Sequence, residues 1–85
     1  MKVTLLVSDA CAPCVQAERV WREVAAERAL ALTVVNLDRP DGRALAERLK
    51  IKTIPALVVD DVLVAIGVQT LEEARALIAD EQKDV

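Results

Sequence analysis

The sequence predicts an α/β domain in which a four-stranded mixed sheet carries helices on both faces, in the order β-α-β-α-β-β-α. Short apolar runs rich in β-branched residues alternate with stretches of helical periodicity. The first two runs are separated by a helical stretch, so we expect parallel strands joined by a right-handed crossover. The last two runs are separated only by Asp60 and Asp61, so we expect an antiparallel hairpin.

The first half of the chain contains two predicted strands and two predicted helices. Val3 to Val7 is a nearly continuous apolar run, typical of a strand that is buried on both faces. From Pro13 the apolar residues recur with helical spacing opposite a charged face, which predicts a helix. Leu32 to Leu37 forms the second strand, residues 38–42 form a loop, and Arg43 to Leu49 forms a short helix. The apolar positions of the first helix are Ala17, Val20, Trp21, Val24 and Ala25, and we expect them to be core residues.

The third and fourth strands follow a segment that contains a proline. Ile51 to Pro55 is extended, because the residue before a proline is excluded from the helical region. Ala56 to Val59 forms the third strand and Val62 to Ile66 forms the fourth. Gly67 ends this hairpin, and the acidic pair between the strands is interpreted as a turn rather than as a metal site.

The last helix begins after Thr70, which has the spacing of a capping box with Glu73. Residues 81–85 form a tail that we expect to fray. No linker or repeat interrupts the 85 residues, so the whole chain, 1–85, is predicted to be a single domain. The apolar stripe of the last helix consists of Leu71, Ala74, Leu77 and Ile78.

The composition excludes several classes of function. The chain has two cysteines, one tryptophan as its only aromatic residue, and no histidine, which excludes Ser-His or Cys-His nucleophile pairs and His-ligated zinc. A net charge of -3 with scattered basic residues argues against nucleic-acid binding. Neither a secretory signal nor a membrane span is present in the sequence, so we expect a cytoplasmic protein that does not bind membranes.

The two cysteines lie where the first strand passes into the first helix, in the segment Cys11-Ala12-Pro13-Cys14. The positive end of the helix dipole favours the thiolate of Cys11 and so lowers its pKa, which makes Cys11 the attacking sulfur. Cys14 follows one turn later on the same face, within disulfide distance, and is expected to be the resolving thiol. Three interpretations stay open: thiol–disulfide exchange, which the position favours, a zinc or iron–sulfur site shared by two chains, and an inert bridge.

The cysteine motif directly after a strand, together with the later Thr53-Ile54-Pro55, resembles the thioredoxin superfamily. Asn36-Leu37-Asp38 and Ile66-Gly67-Val68 follow the thioredoxin order and spacing, so the resemblance covers nearly the whole chain. Because the cysteine pair follows the first strand directly, the resemblance implies a chain without the extra N-terminal strand and helix of full-length thioredoxins. The sequence is therefore most similar to the small prokaryotic glutaredoxin-like thioredoxins, which implies a thioredoxin-like fold of glutaredoxin size.

The resemblance implies a thiol–disulfide oxidoreductase that reduces protein disulfides, with Cys11 as nucleophile, Cys14 as resolving cysteine, and neither metal nor cofactor. Its electron donor would be a thioredoxin-type reductase or a low-molecular-weight thiol, and its targets would be disulfide-containing proteins. We expect the protein to be a monomer. Pro55 would be a cis-proline against the cysteine pair, with Ile54 offering backbone groups to an extended substrate. The implied substrate groove consists of Ala12, Pro13, Thr53, Ile54, Pro55, Gly67 and Val68.

Several positions depart from the family pattern. Ala10 precedes the first cysteine where thioredoxins usually have tryptophan, and Leu5 occupies the position of a buried aspartate that accepts the proton of the resolving thiol. Asp9 is the nearer carboxylate, and one hypothesis is that it partly replaces this aspartate. Lys52 could add positive potential near the thiolate, although a solvated lysine is the more ordinary interpretation.

Glutaredoxins that use glutathione usually carry an aromatic residue between the cysteines and a Gly-Gly pair near the last helix, whereas this chain has Pro13 and a single glycine, Gly67. A glutathione-dependent glutaredoxin is therefore the less supported alternative, and a non-catalytic binding module of thioredoxin fold is the other.

Overall fold

A computed structural model describes residues 1–82 of the chain and confirms the predicted fold class. The sheet has the strand order β2-β1-β3-β4, in which β1 pairs in parallel with β2 and antiparallel with β3. The third and fourth strands form the antiparallel hairpin. The elements in chain order are β1 (Lys2–Val7), α1 (Ala12–Arg28), β2 (Ala31–Asn36), α2 (Pro40–Leu49), β3 (Ala56–Val59), β4 (Val62–Ile66) and α3 (Leu71–Gln82).

Two hydrophobic layers cover the two faces of the sheet. On one face, β1 side chains such as Leu5 pack with Trp21 of α1 and Ile78 of α3, and all three are buried. On the other face, Leu6 packs with Ala46 of α2. The central strand β1 therefore contributes to both layers, which explains its nearly continuous apolar sequence. Trp21 is a core residue, as predicted from its place on the apolar stripe.

The structure corrects the predicted start of α2. This helix begins at Pro40 rather than at Arg43, so residues 40–42 form its first turn and not a loop. Proline is well suited to the first turn because its missing N–H has no partner there. The second strand also ends earlier than predicted, at Asn36, because the carbonyl of Asn36 accepts a hydrogen bond from Arg39 N (3.0 Å) and closes a turn.

The hairpin between β3 and β4 turns at Asp60 and Asp61, as predicted. Both residues have positive φ, 48° and 66°, which is the conformation of a type I′ turn. Asp60 also joins the turn to the start of β1, since Asp60 N donates to Lys2 O (2.9 Å) and Asp60 Oδ1 accepts from Lys2 N (2.9 Å). The Asp60 carboxylate therefore has a structural role at the hairpin turn.

The last helix is capped at its start by side-chain hydrogen bonds. The predicted capping box is present, because Thr70 N donates to Glu73 Oε1 (2.9 Å) and Glu73 N donates to Thr70 Oγ1 (3.1 Å). The helix continues to Gln82, and the remainder of the predicted frayed tail, 83–85, lies outside the described residues. Within residues 1–82, no helix has the length and apolar character needed to cross a membrane.

Candidate functional site

The two cysteines form a disulfide at the start of α1. Cys11 is the N-cap residue, with an extended backbone, and Cys14 lies in the first turn. Their Cα atoms are 5.3 Å apart, which is within the usual range for a disulfide. Cys14 N donates to the carbonyl oxygen of Cys11 (3.2 Å), so the same turn of backbone that starts the helix also brings the two side chains together.

The two sulfur-bearing residues differ in their access to solvent. Cys14 is only 3% exposed and belongs to the core on the α1 side of the sheet. Cys11 is partly exposed, and the two residues between the cysteines, Ala12 and Pro13, are exposed. An incoming sulfur atom therefore reaches Cys11 from outside, whereas Cys14 faces the interior of the protein.

The loop before β3 contains a cis peptide bond between Ile54 and Pro55. Pro55 is buried, Thr53 is exposed, and Ile54 is partly buried and packs against the same α1-side core as Cys11. The carbonyl oxygen of Pro55 accepts a hydrogen bond from Gly67 N (2.8 Å). The structure thus brings the proline loop and the glycine after β4 directly together.

Two exposed apolar side chains flank that glycine. Ile66 is 49% exposed and Val68 is 39% exposed. Gly67 has a positive φ of 84°, a conformation that residues with a side chain rarely adopt. The predicted groove residues after β4 consequently form an apolar surface beside the proline loop.

A cavity of about 320 Å³ opens beside the disulfide. It lies at the end of the sheet where β1 and β2 finish and α1 begins, and we call it the disulfide cavity. Both cysteines contribute to its wall, so a molecule in this cavity would lie against the disulfide-bonded turn. Its lining residues are Val7, Ser8, Asp9, Cys11, Cys14, Val15, Glu18, Val34 and Asn36.

A hydrogen-bond network connects the loop that carries the cysteines to the turn after β2. Asp9 Oδ1 accepts from Asn36 Nδ2 (2.8 Å), and Asp9 N donates to Asp38 Oδ2 (3.1 Å). Asp38 N in turn donates to Asn36 Oδ1 (2.8 Å). Sequence reasoning singled out Asp9 but missed its two partners. The available signal was that all three residues follow the carboxyl ends of neighbouring parallel strands, which meet at one edge of the sheet.

The two other charge hypotheses concern Leu5 and Lys52. Leu5 is 1% exposed within the α1-side core, so this position holds an apolar side chain where thioredoxins have a carboxylate. Lys52 is exposed and lines a different cavity on the α2 side, together with Arg43 and Lys50. Neither cysteine lines that second cavity.

Gln69 is a further residue that sequence reasoning missed. Its side chain is buried and accepts a hydrogen bond from Trp21 Nε1 (3.1 Å), while its Nε2 donates to the carbonyl oxygen of Ile66 (3.3 Å). Gln69 thereby attaches the segment around Gly67 to α1. The signal in the sequence was indirect, since a buried indole N–H requires an acceptor that must come from elsewhere in the chain.

A strand-to-helix disulfide with one accessible and one buried cysteine, on a four-stranded sheet of this topology, defines a thiol–disulfide oxidoreductase. Among residues 1–82, no three Cys, Asp, Glu or His side chains are grouped so that they could hold a metal ion.

The sequence model of the family described as "Thioredoxin domain" matches residues 1–79. The chain therefore belongs to the thioredoxin domain family.

Individual relatives agree with this assignment. A "Probable Thioredoxin" from Archaeoglobus fulgidus is 32% identical over 74 residues, which cover 87% of this chain and 81% of that protein. Thioredoxin 1 from Thermosipho africanus has a similar structure, with a TM-score of 0.78, 12% identity, and coverage of 99% of this chain and 97% of that chain. Thioredoxin f2 from Chlamydomonas reinhardtii gives a TM-score of 0.75 at 24% identity, covering 95% of this chain and 78% of that chain. The two structural neighbours agree with the thioredoxin-like fold.

Proposed function

We propose that the protein is a protein-disulfide reductase that carries electrons through the Cys11–Cys14 pair. The observation that carries this proposal is the contrast between the two cysteines, of which Cys11 is accessible at the N-cap and Cys14 is 3% exposed. The first turn of α1 contains no acidic residue, so the positive end of the helix acts on the Cys11 sulfur without a competing carboxylate in that turn.

In the proposed reaction, the Cys11 thiolate attacks one sulfur of a target disulfide. The target S–S bond breaks, a mixed disulfide forms, and the other target sulfur leaves and takes up a proton. Cys14 then loses its proton and attacks Cys11 Sγ, which releases the second target thiol and leaves the Cys11–Cys14 disulfide. In each cycle two electrons pass to the target, and its two sulfurs take up two protons, one given up by Cys14 and one from solvent, because Cys11 reacts as the thiolate.

The target would bind as an extended segment across the groove described above. Pro55 and Ile54 form one side of this groove, and Gly67 and Val68 form the other. The hydrogen bond from Gly67 N to Pro55 O (2.8 Å) supports this arrangement because it fixes the two sides relative to each other. The exposed apolar surface of Val68 supports it further, since apolar surface contributes to binding of a polypeptide.

A thioredoxin-type reductase or a low-molecular-weight thiol would return the disulfide to the dithiol. We assign this cycle to a reducing compartment such as the cytoplasm, where cysteine pairs that open and close are the usual form. A monomer suffices for the reaction, because Cys11 and Cys14 belong to the same chain.

The proposal is tested by reduction of insulin with dithiothreitol as the electron donor. The wild type should accelerate the reaction, and Cys11→Ser should reduce the rate to the dithiothreitol background. Cys14→Ser should still attack insulin but accumulate as a mixed disulfide that mass spectrometry detects. Ala10→Ser introduces the same side chain one residue before Cys11 and should retain activity, which controls for local disturbance.

Two outcomes separate this function from its alternatives. A wild type no faster than dithiothreitol alone refutes the proposal and leaves a binding module of thioredoxin fold. If the protein is active, the assay is repeated with two donors, a thioredoxin-type reductase with its nicotinamide cofactor and glutathione with its own reductase. Turnover with glutathione but not with the thioredoxin-type reductase would identify a glutaredoxin instead.

A further inference from the structure

The disulfide cavity has a strongly one-sided charge. Two carboxylates line it, Asp9 from the loop after β1 and Glu18 from the second turn of α1. None of the lining residues is a lysine or an arginine, and Cys11 lines the same cavity. From this pattern we infer that the protein discriminates its disulfide substrates by charge, and reacts faster with cationic disulfides than with anionic ones. This inference rests on the proposed function.

The charge of Asp9 is not neutralised by its hydrogen-bond partners. Asp9 Oδ1 accepts from Asn36, whose amide is uncharged, and the backbone N–H of Asp9 is bonded to Asp38, which is a further carboxylate. The three groups of this network therefore carry two negative charges and no positive one. Asp9 is exposed and lines the cavity together with Cys11, so its charge acts on an approaching substrate and is screened by added salt.

Two positive groups near the cavity are too weak to reverse its sign. Arg22 pairs with Glu18 at 2.8 Å, but the two side chains are 60% and 36% exposed, and Arg22 does not line the cavity. At this distance Arg22 nonetheless offsets most of the Glu18 charge, and the N-terminus of α1 contributes about half of a further positive charge. Asp9 and Asp38 take part in none of the ion pairs among residues 1–82, so their two negative charges exceed this half charge.

Three basic residues from the segment before the proline loop lie on the other face of the sheet. Arg43, Lys50 and Lys52 line the cavity on the α2 side, which is separated from the disulfide cavity by the sheet. At about 0.1 M salt the Debye length is roughly 10 Å, so exposed charges on opposite faces of the protein interact weakly. These residues therefore do not supply a positive wall for an anionic substrate.

Three small disulfides of similar length serve as probes. Cystamine carries two ammonium groups, hydroxyethyl disulfide is uncharged, and dithiodipropionate carries two carboxylates. In each case the reduced protein gives up two electrons and its cysteines form a disulfide. The probe takes up two protons, one from Cys14 and one from solvent, and becomes two thiols. Reduced glutathione has a net negative charge, so the same field would disfavour it as the electron donor.

The measurement is a single turnover of reduced protein, freed of reductant and mixed with each probe. Acid quenching and mass spectrometry give the rate at which the protein becomes oxidised. Each rate is divided by that of dithiothreitol with the same probe, which removes the intrinsic reactivity of the disulfide. At low ionic strength, we expect the corrected preference for cystamine over dithiodipropionate to be at least about tenfold, and to shrink as salt is added.

Two double variants of equal net charge locate the origin of the preference. Asp9→Asn with Glu18→Gln keeps the hydrogen-bond acceptors but removes both cavity charges, and should abolish most of the preference. Glu47→Gln with Asp80→Asn removes two exposed carboxylates from the ends of α2 and α3 and should preserve it.

Three results would overturn the inference: a corrected preference near unity, a preference that salt does not change, or an equal loss in both double variants. Failure of the wild type to reduce both insulin and the uncharged hydroxyethyl disulfide would instead refute the proposed function.

Discussion

Gly42 packs against the carbonyl group of Asn36, with no space for a Cβ atom between them. A Cβ at position 42 would collide with the carbonyl oxygen and carbon of Asn36, and both are backbone atoms that cannot rotate away. For Gly42→Ala we expect a loss of about 1–3 kcal/mol in the free energy of unfolding, measured with urea. Insulin reduction should also slow, because Asn36 positions the loop that contains Asp9.

For the unfolding measurement the suitable comparison is Gly67→Ala; it does not serve the insulin assay, because Gly67 lines the proposed groove. No atom lies within 4 Å of a Cβ built at Gly67, so its cost comes only from the positive φ of 84°. This backbone cost is about 1–2 kcal/mol and leaves the Asn36 turn in place. An unfolding free energy of Gly42→Ala equal to that of the wild type would show that the turn adjusts freely.

Gln69 is expected to stabilise the protein through a single buried acceptor. In Gln69→Leu the indole N–H of Trp21 remains buried without a partner, which should cost about 1–3 kcal/mol. For a domain of this size, each kcal/mol lowers the melting temperature by about 4–8 °C. In a Trp21→Phe background the same substitution should cost less, because no N–H is left unpaired. Equal costs in the two backgrounds would contradict this explanation.

At the scale of the elements, the sequence predicts helices and strands better than it predicts their ends. The central strand β1 was recognisable because burial on both faces requires an apolar residue at nearly every position. The start of α2 could not be recognised, because it consists of residues that are also typical of turns, namely Pro40, Asp41 and Gly42. What decides between the two is the close contact of Gly42 with the Asn36 carbonyl, and this contact exists only in the folded protein.

The hairpin contains an irregularity that its sequence does not reveal. Leu57 pairs with Ala65, but Val58 pairs with Leu63, so Val64 is an extra residue in β4. As a result Leu63 packs against the α2-side layer, whereas Val64 packs against the α1-side layer. All of these residues are apolar, so no alternation in the sequence marks the place where the register shifts.

The pair formed by Glu27 and Arg75 joins α1 to α3. Arg75 donates two hydrogen bonds to Glu27, at 2.9 and 2.7 Å. This bonding, reinforced by the charges of Arg75 and Arg28, outweighs desolvation and lowers the pKa of Glu27 below its usual 4.5. The folded protein thus holds this carboxylate ionised more strongly than the unfolded chain does. The stabilisation is present above the unfolded pKa and disappears as the pH falls through the folded value.

The corresponding prediction compares Glu27→Gln with the wild type by urea unfolding at two pH values. The wild type should be more stable at neutral pH, and this advantage should vanish at a pH well below 4.5. Glu23→Gln is the control, since Glu23 lies on the same helix and influences Arg75 only through its charge. If Glu23→Gln reproduces the full pH dependence, the hydrogen-bonded pair is not its source.

At the scale of the whole molecule, the candidate site is assembled from distant parts of the chain. The cysteine motif and the proline loop could be predicted, because each is a short contiguous segment with a family pattern. The contacts that hold them could not be predicted. Asn36 and Asp9 are 27 positions apart, and Gln69 and Trp21 are 48 positions apart. Such pairs are set by strand register and by the packing of α1, and neither leaves a local signal.

The disulfide contributes little to this assembly, because it lies within one turn of one helix. Its cysteines are only 3 positions apart in sequence, and the two hydrophobic layers are held by other residues. For so short a loop, the lost entropy of the unfolded chain stabilises the oxidised form by about 2 kcal/mol. In the reduced form, the positive end of α1 stabilises the Cys11 thiolate and offsets part of this difference.

The fold should therefore persist when the disulfide is reduced. Urea unfolding with and without dithiothreitol should give two cooperative transitions that differ by no more than about 2 kcal/mol. The double variant Cys11→Ser, Cys14→Ala, followed in the same way, should remain folded and should be unaffected by dithiothreitol. A reductase needs this behaviour, because its groove must bind targets in the reduced state. A reduced protein without a cooperative transition would show that the bridge is structural, and would count against a catalytic cycle in which it opens and closes.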